Sequence, residues 1–315
     1  MNNTALWYRE FGAPEQVLVA ERAPKPPLAA EQVRVKMLYA PVNASDLIPI
    51  TGAYRHRITL PQVAGYEGVG VVIAASTPDS PLLGRRVLPL RGEGTWQEFV
   101  DCPAALAIPV PEEIESTLAA RAYINPLAAQ LMLAHFPPAG KEVLLTAAGS
   151  ECALLLGQWA RRAGARSVAG VTRSAVHARR LEECGIIAIP QEDDALLRHH
   201  AARAGVVYDA VGGPLAERIL AAMPTSGEFV SYGLLSGRAF PMRAPVPRVH
   251  WFHVRHHLGD MTPEAWQHAF HTLWPALKNS LLGEVAPYPA QAWQEAIGFY
   301  RAAGRGCKPL LSWQG

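Results

Sequence analysis

The chain has 315 residues, of which 50% are hydrophobic and 18% are charged, and its formal net charge is +2. This length is enough for two domains with sizeable cores, while so small a charge gives no electrostatic basis for binding nucleic acid or a membrane. Four widely spaced cysteines with no CxxC pair, and no apolar stretch long enough to span a bilayer, predict a soluble protein of the reducing cytoplasm.

The pattern of residue types changes near residue 117. Residues 1–116 are rich in Pro and Gly and contain short alternating runs such as 32–38, which predicts a mostly β domain. From 117 onward, predicted strands alternate with amphipathic helices, a pattern typical of an α/β, doubly wound parallel sheet. The predicted strands are 143–145, 167–171, 186–189, 206–209 and 229–232, and the predicted helices are 151–164, 174–184, 192–204 and 214–223. We expect three segments: 1–116, an inserted domain over 117–261, and a return to the first domain over 262–315.

The segment from residue 141 to 165 predicts a strand, a turn of small residues and a helix. In dinucleotide-binding proteins the pyrophosphate lies against the N-terminus of such a helix. The usual G-x-G-x-x-G is replaced by Ala148-x-Ser150-x-x-Ala153, in which Gly149 follows Ala148. Ser150 is expected either to cap the helix or to bind a phosphate oxygen. Glu151 suits the helix dipole but would repel a phosphate if it pointed inward, so an ordinary strand–helix turn is the alternative.

Seven short segments, in register over nearly the whole chain, stand out as motifs. They are Asn43-Ala-Ser-Asp-Leu47, Gly52-Ala-Tyr54, Ala64-Gly-Tyr-Glu-Gly-Val-Gly70, Gly94-Thr-Trp96, Asn125-Pro126, Asp209-Ala-Val-Gly-Gly213 and Tyr232-Gly-Leu-Leu-Ser-Gly237. Together they resemble the medium-chain dehydrogenase/reductase superfamily. The resemblance implies a Rossmann NADPH-binding domain inserted into a GroES-like catalytic domain. Within the zinc-independent branch, Gly94-Thr-Trp96 and Asn125-Pro126 look most like enoyl thioester reductases. Tyr232 to Gly237 looks equally like a quinone oxidoreductase.

Two departures bear on metal binding. Zinc alcohol dehydrogenases carry Cys where Asn43 stands and His where Tyr66 stands, and a catalytic zinc needs three such protein ligands. We therefore predict no catalytic zinc, with Tyr66 either filling the empty metal cavity or facing the substrate.

The histidines from His250 to His257 follow an H-x-x-H-x-x-H-H pattern. The resemblance places a strand there, and strand spacing would point these rings in different directions, so no metal site is predicted.

The nucleotide preference is predicted from the end of the second strand of the inserted domain. NAD sites usually carry an acidic residue there, whereas this chain has Thr172 and Arg173. An arginine can bind a 2′-phosphate through charge-assisted hydrogen bonds. Because this phosphate distinguishes NADPH from NADH, the predicted cofactor is NADPH. His177 stands where many relatives have Lys and is expected to assist. The alternative for Arg173 is a solvated loop cation.

The remaining candidate residues come from the resemblance. Tyr54 matches the tyrosine that enoyl thioester reductases use as proton donor; the alternative is a tyrosine that only packs its ring on a loop. Trp96 either lines the substrate cleft or belongs to the core. Asn43 and Asn125 match positions at the nicotinamide end, although a buried Asn that satisfies turn backbone is an equal alternative. The other residues expected to contact the cofactor are Tyr232, Gly233, Leu234 and Lys308.

The predicted function is NADPH-dependent reduction of an activated C=C bond, with a 2-enoyl thioester as the leading substrate class. Hydride is expected to reach the β-carbon while Tyr54 protonates the α-carbon. The alternatives are an NADPH:quinone oxidoreductase and an NADPH-binding accessory or sensor protein with little turnover. The resemblance also implies a homodimer formed through the edges of the two nucleotide-binding sheets, near which Trp251, Phe252 and Val254 lie.

Overall fold

The computed structural model describes residues 1–241, 247–259 and 261–314. Its described residues separate into two compact units. Unit 1 contains Met1–Ile124, Thr262–Lys278 and the segment from Gly283 onward, and unit 2 contains Asn125–Met261 and Asn279–Leu282. Unit 1 thus runs past the boundary expected at 116, and a short piece of the C-terminal segment lies in unit 2.

In chain order, the strands of the described residues are Asn2–Tyr8 (β1), Leu18–Pro24 (β2), Gln32–Pro41 (β3), Gln62–Val63 (β4), Val69–Ala75 (β5), Arg86–Leu88 (β6), Phe99–Pro103 (β7), Ile108–Pro109 (β8), Glu142–Leu145 (β9), Ser167–Thr172 (β10), Ile187–Pro190 (β11), Ala204–Asp209 (β12), Glu228–Ser231 (β13), Arg248–Trp251 (β14), Glu284–Pro289 (β15) and Cys307–Ser312 (β16). The α-helices are Pro14–Val17 (α1), Ala44–Ile50 (α2), Ser116–Ala119 (α3), Ile124–His135 (α4), Glu151–Arg162 (α5), Ala178–Glu183 (α6), Asp194–Ala201 (α7), Gly213–Ala222 (α8), Pro263–Lys278 (α9) and Trp293–Arg301 (α10). Short 3₁₀ turns lie at Arg55–Arg57, Ala104–Leu106, Ala175–His177, Val254–His257 and Ala290–Ala292.

Unit 1 is built mainly from two sheets. The described strands form a three-stranded sheet of order β2-β1-β4 and a seven-stranded sheet of order β15-β16-β3-β5-β6-β8, with β7 also paired to β3. β16 pairs antiparallel with β3, which places the last strand in the same sheet as the first part of the chain. The core of the unit contains the wholly buried Val33, Val35 and Met37, which lie on β3, and Trp96.

Unit 2 contains a parallel sheet of six described strands, in the order β11-β10-β9-β12-β13-β14. Counted from β9, this is the order 3-2-1-4-5-6 of a dinucleotide-binding sheet. The doubly wound parallel sheet predicted from the alternation of strands and helices is confirmed. Its core is formed by aliphatic side chains together with Phe229 and Phe240.

The predicted and observed elements differ in two instructive places. The helix predicted over 174–184 is divided into the 3₁₀ turn Ala175–His177 and α6, because Ser174 caps the turn by accepting from the Val176 N–H at 3.4 Å. The sequence pattern does not predict β15, since this strand contains two prolines (Pro287 and Pro289), which usually argue against a strand.

No helix among the described residues has the length and apolarity needed to cross a membrane.

Candidate active site

The turn between β9 and α5 has the predicted strand–turn–helix form. Ala147 adopts a positive φ of 47°, and Ser150 is the N-cap of α5. The Ser150 Oγ accepts a hydrogen bond from the Ala153 N–H at 3.3 Å. Of the two roles considered for Ser150, the structure therefore shows the helix cap. α5 starts at Glu151, so the positive end of its dipole lies at the turn.

Small side chains in this turn allow very close packing. A Cβ placed on Gly149 would lie 2.5 Å from a ring carbon of His177, and a Cβ on Gly170 would lie 2.5 Å from that of Ala148. Ala148 is wholly buried, and its N–H donates to the Val171 carbonyl at 3.0 Å. The structure therefore brings together three of the predicted residues, Ala148, Gly149 and His177, with the imidazole lying directly against the turn.

A buried polar pair joins the carboxyl ends of β9 and β12. Asp209 accepts hydrogen bonds from the Thr146 Oγ1 at 2.7 Å, the Val211 N–H at 3.1 Å and the Gly212 N–H at 2.9 Å. Thr146 Oγ1 in turn accepts from the Ala210 N–H at 2.9 Å. Burial raises the pKa of Asp209 above its ordinary value. Sequence reasoning missed this pair, although a polar residue at the ends of two neighbouring strands was a usable signal.

Tyr232 follows β13, and its N–H donates to the Asp209 carbonyl at 2.8 Å. Its hydroxyl is buried beside Ser150 and Cys152, and burial raises the pKa of Tyr232 well above its ordinary value. This oxygen makes no hydrogen bond of ordinary geometry among the described residues, although the Ser150 hydroxyl and the Cys152 thiol lie close to it. Gly233 approaches the Ala210 carbonyl so closely that a Cβ would lie 2.9 Å from its oxygen.

Arg173 directly follows β10 and is exposed. Within the described part of the chain it forms neither an ion pair nor a hydrogen bond. Thr172, by contrast, is buried, with 7% of its surface exposed. No acidic residue stands at this strand end, so the guanidinium is available to an anion. Leu234, another predicted contact, is 42% exposed.

Asn125 orients the carboxylate in the first turn of α5. Its Nδ2 donates to Glu151 Oε2 at 3.3 Å. The Cys152 thiol contacts the Asn125 carbonyl, with 3.8 Å between sulfur and oxygen. The Asn125 amide therefore donates a hydrogen bond to the Glu151 carboxylate. This is the carboxylate that the sequence analysis expected to repel a phosphate if it pointed inward.

In unit 1 a buried polar network connects two predicted residues. Lys308 Nζ donates to Asn43 Oδ1, and Asn43 Nδ2 donates to Glu67 Oε1 at 2.7 Å. The other oxygen of Glu67 accepts from the backbone N–H groups of Tyr123, at 3.1 Å, and Ile124, at 2.8 Å. Asn43 and Lys308 therefore meet, as parts of a network whose centre is a carboxylate.

Asp46 adds a second buried carboxylate to this network. It accepts from the backbone N–H groups of Asn43, at 2.8 Å, and Tyr66, at 2.9 Å. Burial, followed by the neighbouring Glu67 carboxylate, raises the pKa of Asp46 to about 7. Tyr66 itself is partly exposed. The sequence analysis predicted neither Glu67 nor Asp46 as a site residue, because a single sequence does not reveal that both carboxylates are buried.

Tyr54 and Trp96 have different surroundings in unit 1. Tyr54 is partly exposed and precedes the 3₁₀ turn Arg55–Arg57. Trp96 is wholly buried in the core, where its Nε1 donates to the Pro41 carbonyl at 3.2 Å. The predicted role of Trp96 as a wall of the substrate cleft is therefore not supported, because a side chain with no exposed surface cannot line a cleft of its own unit.

The histidines of the H-x-x-H-x-x-H-H run are spread over a strand and a turn. His250 lies on β14 and pairs with Glu228, while the ring of His257 stacks on Phe252 with 4.9 Å between centroids. A second neighbour of His257 is His135, at 4.5 Å. Over the described residues, no three His, Cys, Asp or Glu side chains are arranged to hold a metal ion.

Comparisons with known proteins agree with this geometry. The Alcohol dehydrogenase GroES-like domain family matches residues 29–112. A Bacillus thuringiensis protein of known crystal structure, assigned as an NADPH:quinone reductase, is 32% identical, with a TM-score of 0.92 and 99% of each chain covered. The mitochondrial enoyl-acyl-carrier-protein reductase of Arabidopsis thaliana is 30% identical over 245 residues, which are 74% of this chain and 65% of that enzyme. The human enzyme of the same name is 27% identical over 318 residues, covering 93% of this chain and 84% of that one.

The chain thus spans just under two thirds of its plant relative but nearly all of the bacterial structure. The similarity to the bacterial protein extends over both units, and the strand order of unit 2 is that of a dinucleotide-binding sheet. Where zinc alcohol dehydrogenases carry ligands, Asn43 and the backbone of Tyr66 belong instead to a hydrogen-bonded carboxylate network. The chain belongs to the medium-chain dehydrogenase/reductase superfamily of oxidoreductases, in the zinc-independent branch that contains the quinone oxidoreductases and the enoyl thioester reductases.

Proposed function

We propose that this protein is an NADPH-dependent reductase of activated C=C bonds and that its substrates are 2-enoyl thioesters. The observation that carries the proposal is Tyr54, a partly exposed phenol in the Gly52-Ala-Tyr54 motif. The curated relatives named enoyl-acyl-carrier-protein reductases support the same substrate class. Reduction of a polarised C=C bond needs a proton donor but no Lewis acid, which agrees with a carboxylate network in place of zinc ligands.

The turn at the start of α5 fits a dinucleotide. The dipole of α5 favours an anion at this turn, Gly149 lets the His177 imidazole approach its backbone closely, and Tyr232 lies beside the start of the helix. Arg173 would bind the 2′-phosphate that distinguishes NADPH from NADH, with His177 nearby in the sequence. The further contacts proposed are those of Asn43, Asn125, Ala148, Ser150, Thr172, Gly233, Leu234 and Lys308. When bound, NADPH supplies the hydride that reduces the substrate.

Tyr54 would act on the substrate itself. Reduction at the β-carbon of an enoyl thioester leaves negative charge on the thioester oxygen and the α-carbon. A phenol donates a hydrogen bond to that charge and then transfers its proton to the α-carbon. Tyr66 is the other partly exposed tyrosine proposed near substrate, and its backbone N–H is engaged by Asp46.

A quinone oxidoreductase is the second candidate. Its support is the bacterial protein assigned as an NADPH:quinone reductase, which covers 99% of this chain. A quinone accepts hydride without a dedicated proton donor, so the two candidates differ in how much they depend on Tyr54.

We also propose a cytoplasmic homodimer. β14 lies at one edge of the parallel sheet and presents Trp251 with 59% of its surface exposed. An edge strand with an exposed large aromatic residue favours pairing with a second copy.

The test is turnover of crotonyl-thioester and of a simple quinone by wild type, Tyr54→Phe and the control variant Tyr39→Phe, which alters another partly exposed tyrosine of unit 1. We expect Tyr54→Phe to reduce thioester turnover by about 100-fold or more, since a positioned proton donor contributes this much. Tyr39→Phe should retain most of it, because the Tyr39 hydroxyl donates to Gln314 Oε1, at 3.1 Å, and has no proposed role in the reaction. A Tyr54→Phe variant with near-normal thioester turnover removes Tyr54 from the mechanism, and quinone turnover with inert thioester assigns the protein to the second candidate.

A further inference from the structure

The residues that follow Tyr54 form a tight turn with three basic side chains. Gly52 adopts a φ of +86°, and a Cβ there would approach Phe11 to 3.0 Å, so glycine permits the chain to turn. The Arg57 N–H then donates to the Tyr54 carbonyl at 2.8 Å. In such a 3₁₀ turn, side chains three positions apart lie on the same side. The turn therefore brings the side chain of Arg57 to that of Tyr54.

The guanidinium of Arg57 lies over the phenol ring of Tyr54, with 5.5 Å between its central carbon and the ring centroid. A second contact fixes its orientation, because the Arg57 Nε donates to His56 Nε2 at 2.9 Å. Arg57 is held by an aromatic face on one side and by an imidazole on the other.

The positive charge of Arg57 is not neutralised. In the described part of unit 1, Arg9 is paired with Glu21 and Arg34 with Asp101, whereas Arg57 has no carboxylate partner. Arg55, in the same turn, provides a natural comparison. Its guanidinium lies over Phe11, 6.0 Å from the ring centroid, and not over Tyr54. The unneutralised charge next to the candidate donor therefore comes from Arg57.

This arrangement has a chemical consequence for a phenol that gives up its proton. As the proton leaves, negative charge develops on the phenol oxygen and spreads into the ring. A cation held close to that ring stabilises the developing charge more than it stabilises the neutral phenol. The same contact restricts rotation of the ring and so limits the directions in which the O–H can point.

We propose that Arg57 is a positioning residue for Tyr54, which it orients and whose charge it stabilises during proton transfer; this rests on the donor role of Tyr54 proposed above. His56 contributes by holding the guanidinium in place. The effect is specific to chemistry that passes through Tyr54, so quinone reduction should not depend on Arg57.

The primary test compares Arg57→Gln, Arg57→Lys and the matched variant Arg55→Gln in steady-state reduction of crotonyl-thioester. We expect Arg57→Gln to lower kcat by about 5- to 20-fold with little change in KM, because the contact acts in the transition state. Arg57→Lys keeps the charge but not the planar group, so it should recover only part of that loss, whereas Arg55→Gln should stay within about threefold of wild type. Equal losses in Arg55→Gln and Arg57→Gln, or no loss in either, overturn the proposal.

A double-mutant cycle separates this inference from the function on which it rests. If Arg57 acts through Tyr54, the Arg57→Gln change has no further effect on kcat in a Tyr54→Phe background. If the two losses multiply, Arg57 acts independently of Tyr54 and the inference is wrong while the donor role stands. If Tyr54→Phe alone is as active as wild type, the donor role and the inference fail together. Melting temperatures near that of wild type establish that the exposed Arg57 variants are folded.

Discussion

Arg173 provides the sharpest test of the cofactor assignment. The perturbation is Arg173→Gln, which removes the charge but keeps most of the length of the side chain. Arg173 is exposed and has no partner among the described residues, so its replacement leaves no buried group unsatisfied. Arg166→Gln is a matched control, because Arg166 is also exposed and lies at the opposite end of the same strand, β10.

The expected loss follows from a single charge-assisted contact. A hydrogen bond to a charged group contributes about 1.5–3 kcal/mol, and solvent exposure moves Arg173 toward the lower half of that range. NADPH should therefore bind about 10- to 30-fold more weakly to the variant. NADH lacks the 2′-phosphate, so its binding should change by less than about twofold. Thermal stability should be unchanged, since Arg173 is exposed and forms no hydrogen bond or ion pair with the described residues.

The assay is titration of each variant with NADPH and NADH, followed by kcat/KM for both nucleotides with one acceptor. We expect a large fall in the NADPH/NADH ratio for Arg173→Gln and none for Arg166→Gln. An unchanged ratio in Arg173→Gln would refute the phosphate role and return Arg173 to a solvated loop cation.

Three further predictions concern stability and assembly. Because the pKa of Asp46 is raised from 3.8 to about 7, wild-type stability should fall as the pH rises from about 4 to about 7. Asp46→Asn should lessen that fall in urea denaturation, and an identical pH slope would contradict the assignment. Gly149→Ala should lower the free energy of unfolding by about 1–3 kcal/mol, because the new methyl group meets the His177 ring. Adding His177→Ala to that variant should restore most of the lost stability, as measured by denaturation midpoints. Trp251→Lys should convert a dimer into a monomer in sedimentation velocity at otherwise equal stability; a wild-type monomer would remove the proposed interface.

Local pattern predicted much of unit 2. Short continuous apolar runs identified the strands β9 to β13, because parallel strands are buried on both faces. Apolar residues at helical spacing identified the helices that connect them. The turn at Ala148 to Ser150 was identified although its glycines are largely replaced. Small residues there permit the same close approach, as the contact between Gly149 and His177 shows.

The polar networks were not predictable in the same way. The Asn43–Glu67–Lys308 contacts join residues from widely separated parts of the chain, and no local pattern encodes them. The burial of Trp96 was likewise not predictable from local sequence. Its motif matches that of reductases, but its complete burial depends on the fold around it, and sequence reasoning could not choose between core and cleft.

The most direct measurement of the proposed reaction is the fate of the transferred hydrogen. Wild type is incubated with NADPH carrying two deuterium atoms at nicotinamide C4 and with crotonyl-thioester, and the butyryl product is analysed by mass spectrometry and NMR. We expect one deuterium at the β-carbon and one solvent-derived proton at the α-carbon. Failure to form butyryl-thioester, with deuterium passing instead to a quinone or remaining in the nucleotide, would contradict the enoyl reductase assignment.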